Sequence, residues 1–76
     1  MTKVTIRLQL AENVKKFIDI VSKFPCDVDL VSGRYIVDAK SVLGIFSLDL
    51  SQPIELHIYD EKCDHLVEQI RDFMEN

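Results

Sequence analysis

The stretch from Val31 to Leu50, VSGRYIVDAKSVLGIFSLDL, constrains this chain more than any other, because a hairpin turn, a strand and a helix start follow one another without a spare residue. Ser32-Gly33 separates two β-prone runs, the place of a two-residue hairpin loop in which Gly takes a positive φ at little cost. With the loop there, Leu30 faces Tyr35 and Val28 faces Val37. Asp38-Ala39-Lys40-Ser41 then closes the strand. Ser41 is placed to cap a short helix through Val42, Leu43, Ile45 and Phe46, its hydroxyl accepting from amides of the first turn.

The flanking segments have clear periods. Val4, Ile6, Leu8 and Leu10 alternate with Thr5, Arg7 and Gln9, which predicts a first strand with one buried face. From about Glu12 the period becomes helical, with Val14, Phe17, Ile18, Val21 and Phe24 on one side and Lys15, Lys16, Asp19, Ser22 and Lys23 on the other. Pro25 disfavours helical geometry in the residue before it, so this helix stops there. Cys26, Val28 and Leu30 alternate with Asp27 and Asp29 as strand two, and Tyr35 and Val37 with Ile36 as strand three. After a Ser51-Gln52-Pro53 loop, Ile54, Leu56 and Ile58 alternate with Glu55, His57 and Tyr59 as strand four. A last helix carries Leu66, Val67, Ile70, Phe73 and Met74 on one stripe, with Asp64, Glu68, Gln69, Arg71, Asp72 and Glu75 opposite. The order is β-α-β-β-α-β-α, an α+β fold. Because every strand alternates, one sheet face is expected to be open and the other covered by the three helices.

At 76 residues the chain is read as a single domain, 1-76, that must place nearly every periodic apolar side chain in one core. Nine basic against thirteen acidic residues give a net charge of −4 with no basic run, which argues against nucleic acid or an anionic membrane as partner. No apolar run approaches the ~18 residues of a membrane span, and Lys3, Arg7 and the threonines interrupt any signal-peptide core, so a cytoplasmic location is expected. In that setting Cys26 and Cys63 are read as free thiols, although they could pair.

The segment KSVLGIFSL resembles the serine segment of the histidine-containing phosphocarrier protein (HPr) of the bacterial sugar phosphotransferase system, in its Gram-positive form. Phe17 to Phe24, Ser32-Gly33-Arg34, Lys40 to Ile45 with Ser47-Leu48, and His65-Leu66-Val67 extend the likeness over nearly the whole chain. It implies an HPr-like open-faced β-sandwich with an antiparallel sheet in the order 1-4-2-3. The structural competitor is a ferredoxin-like domain, for which the order 4-1-3-2 would be diagnostic.

The family's chemistry uses a histidine, and two residues later an arginine followed by proline, at the start of the first helix, where the helix end and the arginine stabilise a phosphoryl group. At the matching positions this chain has Leu10, Ala11, Glu12 and Asn13, after a shortened loop. None can carry phosphate on a ring nitrogen, and the Glu12 carboxylate would repel it. By itself Glu12 is an ordinary helix-start residue.

The other polar candidates have plainer readings. His57 should point from the open sheet face as a solvated histidine, and His65 should lie on the polar side of the last helix. Cys63 and His65 diverge at helical i, i+2 spacing, so no metal site and no cofactor are expected. Asp27 and Asp29 share a strand face but read as solvated edge charges rather than an acid/base pair. With two glycines in the chain, no phosphate-cradling loop is possible.

Ser41 has positive support: the matching serine of the family is phosphorylated by a dedicated kinase, a role compatible with capping. Lys40, Val42, Leu43, Ile45 and Phe46 around it are expected to form the family's partner-binding surface, against the alternative that the short helix is simply sunk into the core. Asp49 adds a negative charge near that surface. The expected function is therefore an HPr-like regulatory interaction module without phosphocarrier or enzymatic activity, with an HPr-type kinase or a phosphotransferase-system or catabolite regulator as partner. The alternatives are a working phosphocarrier and an unrelated ferredoxin-like ligand-binding or oligomerisation domain.

Overall fold

The computed structural model of the chain describes residues 1–60 and 63–74. Alternation at the N-terminus builds β1 (Thr2–Ile6) and buries Ile6 and Leu8, but it does not continue to Leu10, which is exposed. Gln9 interrupts it with a left-handed φ of 64°. The first helix, α1 (Ala11–Val21), buries Val14, Phe17 and Val21. It closes at Ser22, and Phe24, one residue before Pro25, packs against the core from beyond the helix.

The hairpin joins β2 (Val28–Ser32) to β3 (Tyr35–Asp38), and its register differs from the sequence expectation. Leu30 pairs with Val37 and Ser32 with Tyr35, so the turn residues are Gly33 and Arg34 rather than Ser32 and Gly33. Gly33, at φ 59°, takes the first central position, which suits a type II′ turn. The slip is by two residues, so each side chain keeps its face. Tyr35 consequently sits at the hairpin tip with 66% of its surface exposed, instead of opposite Leu30.

The short α2 (Val42–Phe46) leads to β4 (Ile54–Ile58), which pairs antiparallel with β1 on one side and β2 on the other. The sheet order is β1-β4-β2-β3, as the resemblance implied, and the ferredoxin-like alternative is excluded by it. Ile54, Leu56 and Ile58 are buried with Ile6, Val28 and Leu30 on the inner face, and form one core with Phe17, Val21, Ile45, Leu66 and Ile70. Lys3, Thr5 and Glu55 stand exposed on the outer face.

The last element is not one helix: α3 (Asp64–Gln69) ends at Ile70, and a 3₁₀ turn covers Arg71–Phe73. What wins over helical periodicity is pairing with β1. The Arg7 amide donates to the Phe73 carbonyl at 2.8 Å, and Met74 forms an antiparallel bridge with Ile6. Glu75, expected on the polar side, lies outside the described residues, as does the Asp64 side chain.

Cys26 and Cys63 are joined in a disulfide, with Cα atoms 6.6 Å apart, which overturns the reading as free thiols. Composition speaks to the redox surroundings of a chain, whereas pairing depends on geometry. Cys26 shares the inward parity of Val28 and Leu30, Cys63 directly precedes α3, and both are buried. Among the described residues no helix is long and apolar enough to cross a membrane.

Candidate functional site

Two places on the helical layer matter. The first is the start of α1. The Leu10 amide donates to the Leu8 carbonyl at 2.7 Å across Gln9, a γ-turn of the rarer positive-φ form. The Gln9 amide donates to the Leu50 carbonyl at 3.1 Å, tying this turn to the segment that follows α2. Leu10 is the N-cap but offers no side-chain cap, while Asn13 Nδ2 donates to the Leu8 carbonyl at 2.6 Å. The helix end is therefore faced by an exposed Leu10 and by the Glu12 carboxylate in the first turn.

The second is α2. Ser41 has extended backbone angles, and its Oγ accepts from the Gly44 amide at 3.1 Å, which is the expected cap. Gly44 allows this closeness: a Cβ there would lie 3.3 Å from Ser41 Oγ and 3.2 Å from Val37 Cβ. Of the apolar residues expected at the surface, Val42, Leu43 and Phe46 are exposed, at 48%, 86% and 44%. Ile45 is not among them; it is fully buried in the core, because on so short a helix one side chain must point down to hold it. The Lys40 ammonium donates to the Phe24 carbonyl at 2.8 Å, so this cation ties the β3–α2 connection to the segment that follows α1. Asp49 accepts from the Ser51 hydroxyl at 2.6 Å and from its amide, and the hydroxyl bond above all holds its carboxyl below the usual range.

Away from the helical layer, His57 is less exposed than expected, with 13% of its side chain accessible. It lies mid-sheet, paired in register with Lys3 and Asp29, and its Nε2 is 2.9 Å from Glu55 Oε2. That bond draws the Glu55 pKa down. Asp29 is not an edge charge either, because β2 is interior to the sheet; it accepts from the Tyr59 hydroxyl at 3.1 Å, which raises the Tyr59 pKa. Asp27 is exposed as expected, and His65 lies exposed on α3 with Glu68 3.9 Å away.

A family model described as the phosphotransferase-system HPr component phosphorylation site matches residues 3–76. The chain belongs to the HPr family. Solved structures agree. It is similar to HPr-C-His from Thermoanaerobacter tengcongensis, with a TM-score of 0.80 and 26% identity over 95% of this chain and 89% of that one. The phosphocarrier protein HPr from Bacillus anthracis strain Ames matches with a TM-score of 0.75 and 16% identity over 97% and 96% of the two chains. A histidine-containing phosphocarrier protein of Mycoplasma matches at 0.76 and 12% over 93% and 89%. These last two likenesses speak to the fold alone. No curated protein matches by sequence.

This HPr-family chain thus has its two imidazoles on β4 and α3, and Leu10-Ala11-Glu12-Asn13 at the start of α1. The Ser41 cap gives a direct test of the second place. Ser41→Ala should lower unfolding stability by about 0.5 to 2 kcal/mol, whereas Ser41→Asp retains an acceptor and should change it little, both read from urea denaturation midpoints. Sequence reasoning missed the exposure of Leu10 and the approach of Cys26, Asp60 and Cys63 to one another. The shared inward parity of Cys26, Val28 and Leu30 was the available signal for the latter.

Proposed function

We propose that this HPr-family chain is a regulatory protein-interaction module that has no histidine phosphocarrier activity and acts through the Ser41 helix surface. The observation that carries the reading is the start of α1, where the cap is Leu10 and the first-turn charge is Glu12. A nitrogen nucleophile is needed to hold a phosphoryl group as a phosphoramidate, and a carboxylate at that helix end opposes the incoming anion. Support for the surface comes from Val42, Leu43 and Phe46, which stand exposed around the capped Ser41.

In this reading the chain is cytoplasmic and not an enzyme. Its partner is a protein, an HPr-type kinase or a phosphotransferase-system or catabolite regulator, that sets an apolar groove on α2. Phosphorylation of Ser41 would add about −1.5 to −2 charges to a chain already at −4. The modified form then calls for Arg or Lys beside that groove.

The test is made in two tubes with an ordinary HPr as internal control. With phosphoenolpyruvate and enzyme I, the control should gain acid-labile phosphohistidine and this chain none; stoichiometric transfer to this chain would refute the reading. With an HPr-type kinase and ATP, both should gain acid-stable phosphoserine, lost here in Ser41→Ala. A kinase that labels the control and leaves this chain untouched reduces Ser41 to a helix cap.

A further inference from the structure

We propose that when the Cys26–Cys63 disulfide is reduced, the two sulfurs and the Asp60 carboxylate form a binding site for a thiophilic divalent cation of the zinc type. The three residues come from different parts of the fold: Cys26 precedes β2, Asp60 follows β4, and Cys63 precedes α3. Their ligand atoms all lie within 4.8 Å of one another. A tetrahedral cation with two Zn–S bonds of about 2.3 Å and a Zn–O bond of about 2.0 Å needs S···S near ~3.8 Å and S···O near ~3.5 Å. In the disulfide the S–S edge of this triangle is a bond, so on reduction it must open to ~3.8 Å; with the two Cα atoms 6.6 Å apart, side-chain rotation supplies that opening without a new backbone path.

The surroundings suit a cation. Cys26 and Cys63 are buried while Asp60 is exposed, giving two sheltered soft ligands and one hard ligand on the solvent side, from which water completes the shell. A hollow beside Cys26 is lined by Asp27, Asp29 and Asp38 against one cation, Lys40. The bound cation would link the start of β2 to the start of α3, as the disulfide does.

The chemistry balances. A dithiol reductant gives two electrons and two protons to the S–S bond, yielding two thiols and leaving itself as a disulfide. Cation binding then releases both thiol protons, and three anionic ligands meet two positive charges. Disulfide and cation are mutually exclusive, so the site is open only in the reduced chain.

The probe is Co²⁺, followed by Zn²⁺, added anaerobically to the whole chain after dithiol reduction and removal of the reductant. One Co²⁺ per chain should bind with a thiolate-to-metal charge-transfer band that Zn²⁺ abolishes, and Zn²⁺ should raise the unfolding temperature of the reduced chain. The oxidised chain, folded by its disulfide, should show neither effect. Asp60→Asn, which keeps both cysteines but replaces an anionic ligand by a neutral amide, should weaken binding measurably. Absence of the band in the reduced chain, equal binding by the oxidised chain, or unchanged affinity in Asp60→Asn would each overturn the proposal.

Discussion

Phe17→Ala should cost the chain about 3 to 5 kcal/mol, a large share of the roughly 4 to 11 kcal/mol expected for a domain of this size. Phe17 is fully buried on α1, under the sheet, and its ring meets Phe73 edge-on with centroids 6.0 Å apart at 88°. Truncation removes the transfer energy of the ring and its edge-to-face contact. It also leaves a cavity in a core that relaxes only partly around it. Urea denaturation monitored by circular dichroism reads the loss as a lower midpoint at constant slope. Phe46→Ala is the matched control: its ring is 44% exposed, so the cost should stay near ~1 kcal/mol. Equal losses at the two positions would mean that α2 is sunk into the core and presents no docking surface.

Opening the disulfide should have an effect of similar size. Cys26 and Cys63 are 37 residues apart, so their bond closes a loop across half of the chain. The chain-entropy treatment assigns about 4 kcal/mol to a loop of that length, through the restricted unfolded ensemble. Reduction, or Cys63→Ser, should therefore lower the unfolding free energy by about 4 kcal/mol in the absence of divalent cations. A calorimetric scan with and without reductant measures it, and a shift of only a degree or two would show that the cross-link leaves the unfolded chain largely unrestrained.

Much of the fold was legible in the chain because period decides face. Ile6, Leu8, Val28, Leu30, Ile54, Leu56 and Ile58 alternate in sequence and are buried together. The hairpin register was not legible, since a turn beginning at Ser32 and one beginning at Gly33 both fit the residues, and the two-residue slip costs no change of face. The helical stripe of residues 66–74 misled for a different reason: Ile70, Phe73 and Met74 meet the core equally well from a helix that stops and an extended segment that pairs with Ile6. At the site, Ser41 was legible because a cap needs only local chemistry. His57 was not, because its shielding comes from Lys3 and Asp29, neighbours far away in sequence.

The sheet order also sets a timetable for making the protein. β4 is the last of the four described strands in sequence, yet both of its neighbours in the sheet, β1 and β2, precede it. While residues 1 to 50 emerge from the ribosome, only the β2–β3 hairpin can zip locally; β1 and α1 have no strand to bring them together. Long-range closure then happens late and nearly at once, when β4 slots between two waiting edges and the Phe73–Met74 segment reaches back to β1. Until β4 is free to pair, the chain consequently displays the apolar faces of β1 and β2, and any delay before that step would lengthen its exposure to chaperones and proteases.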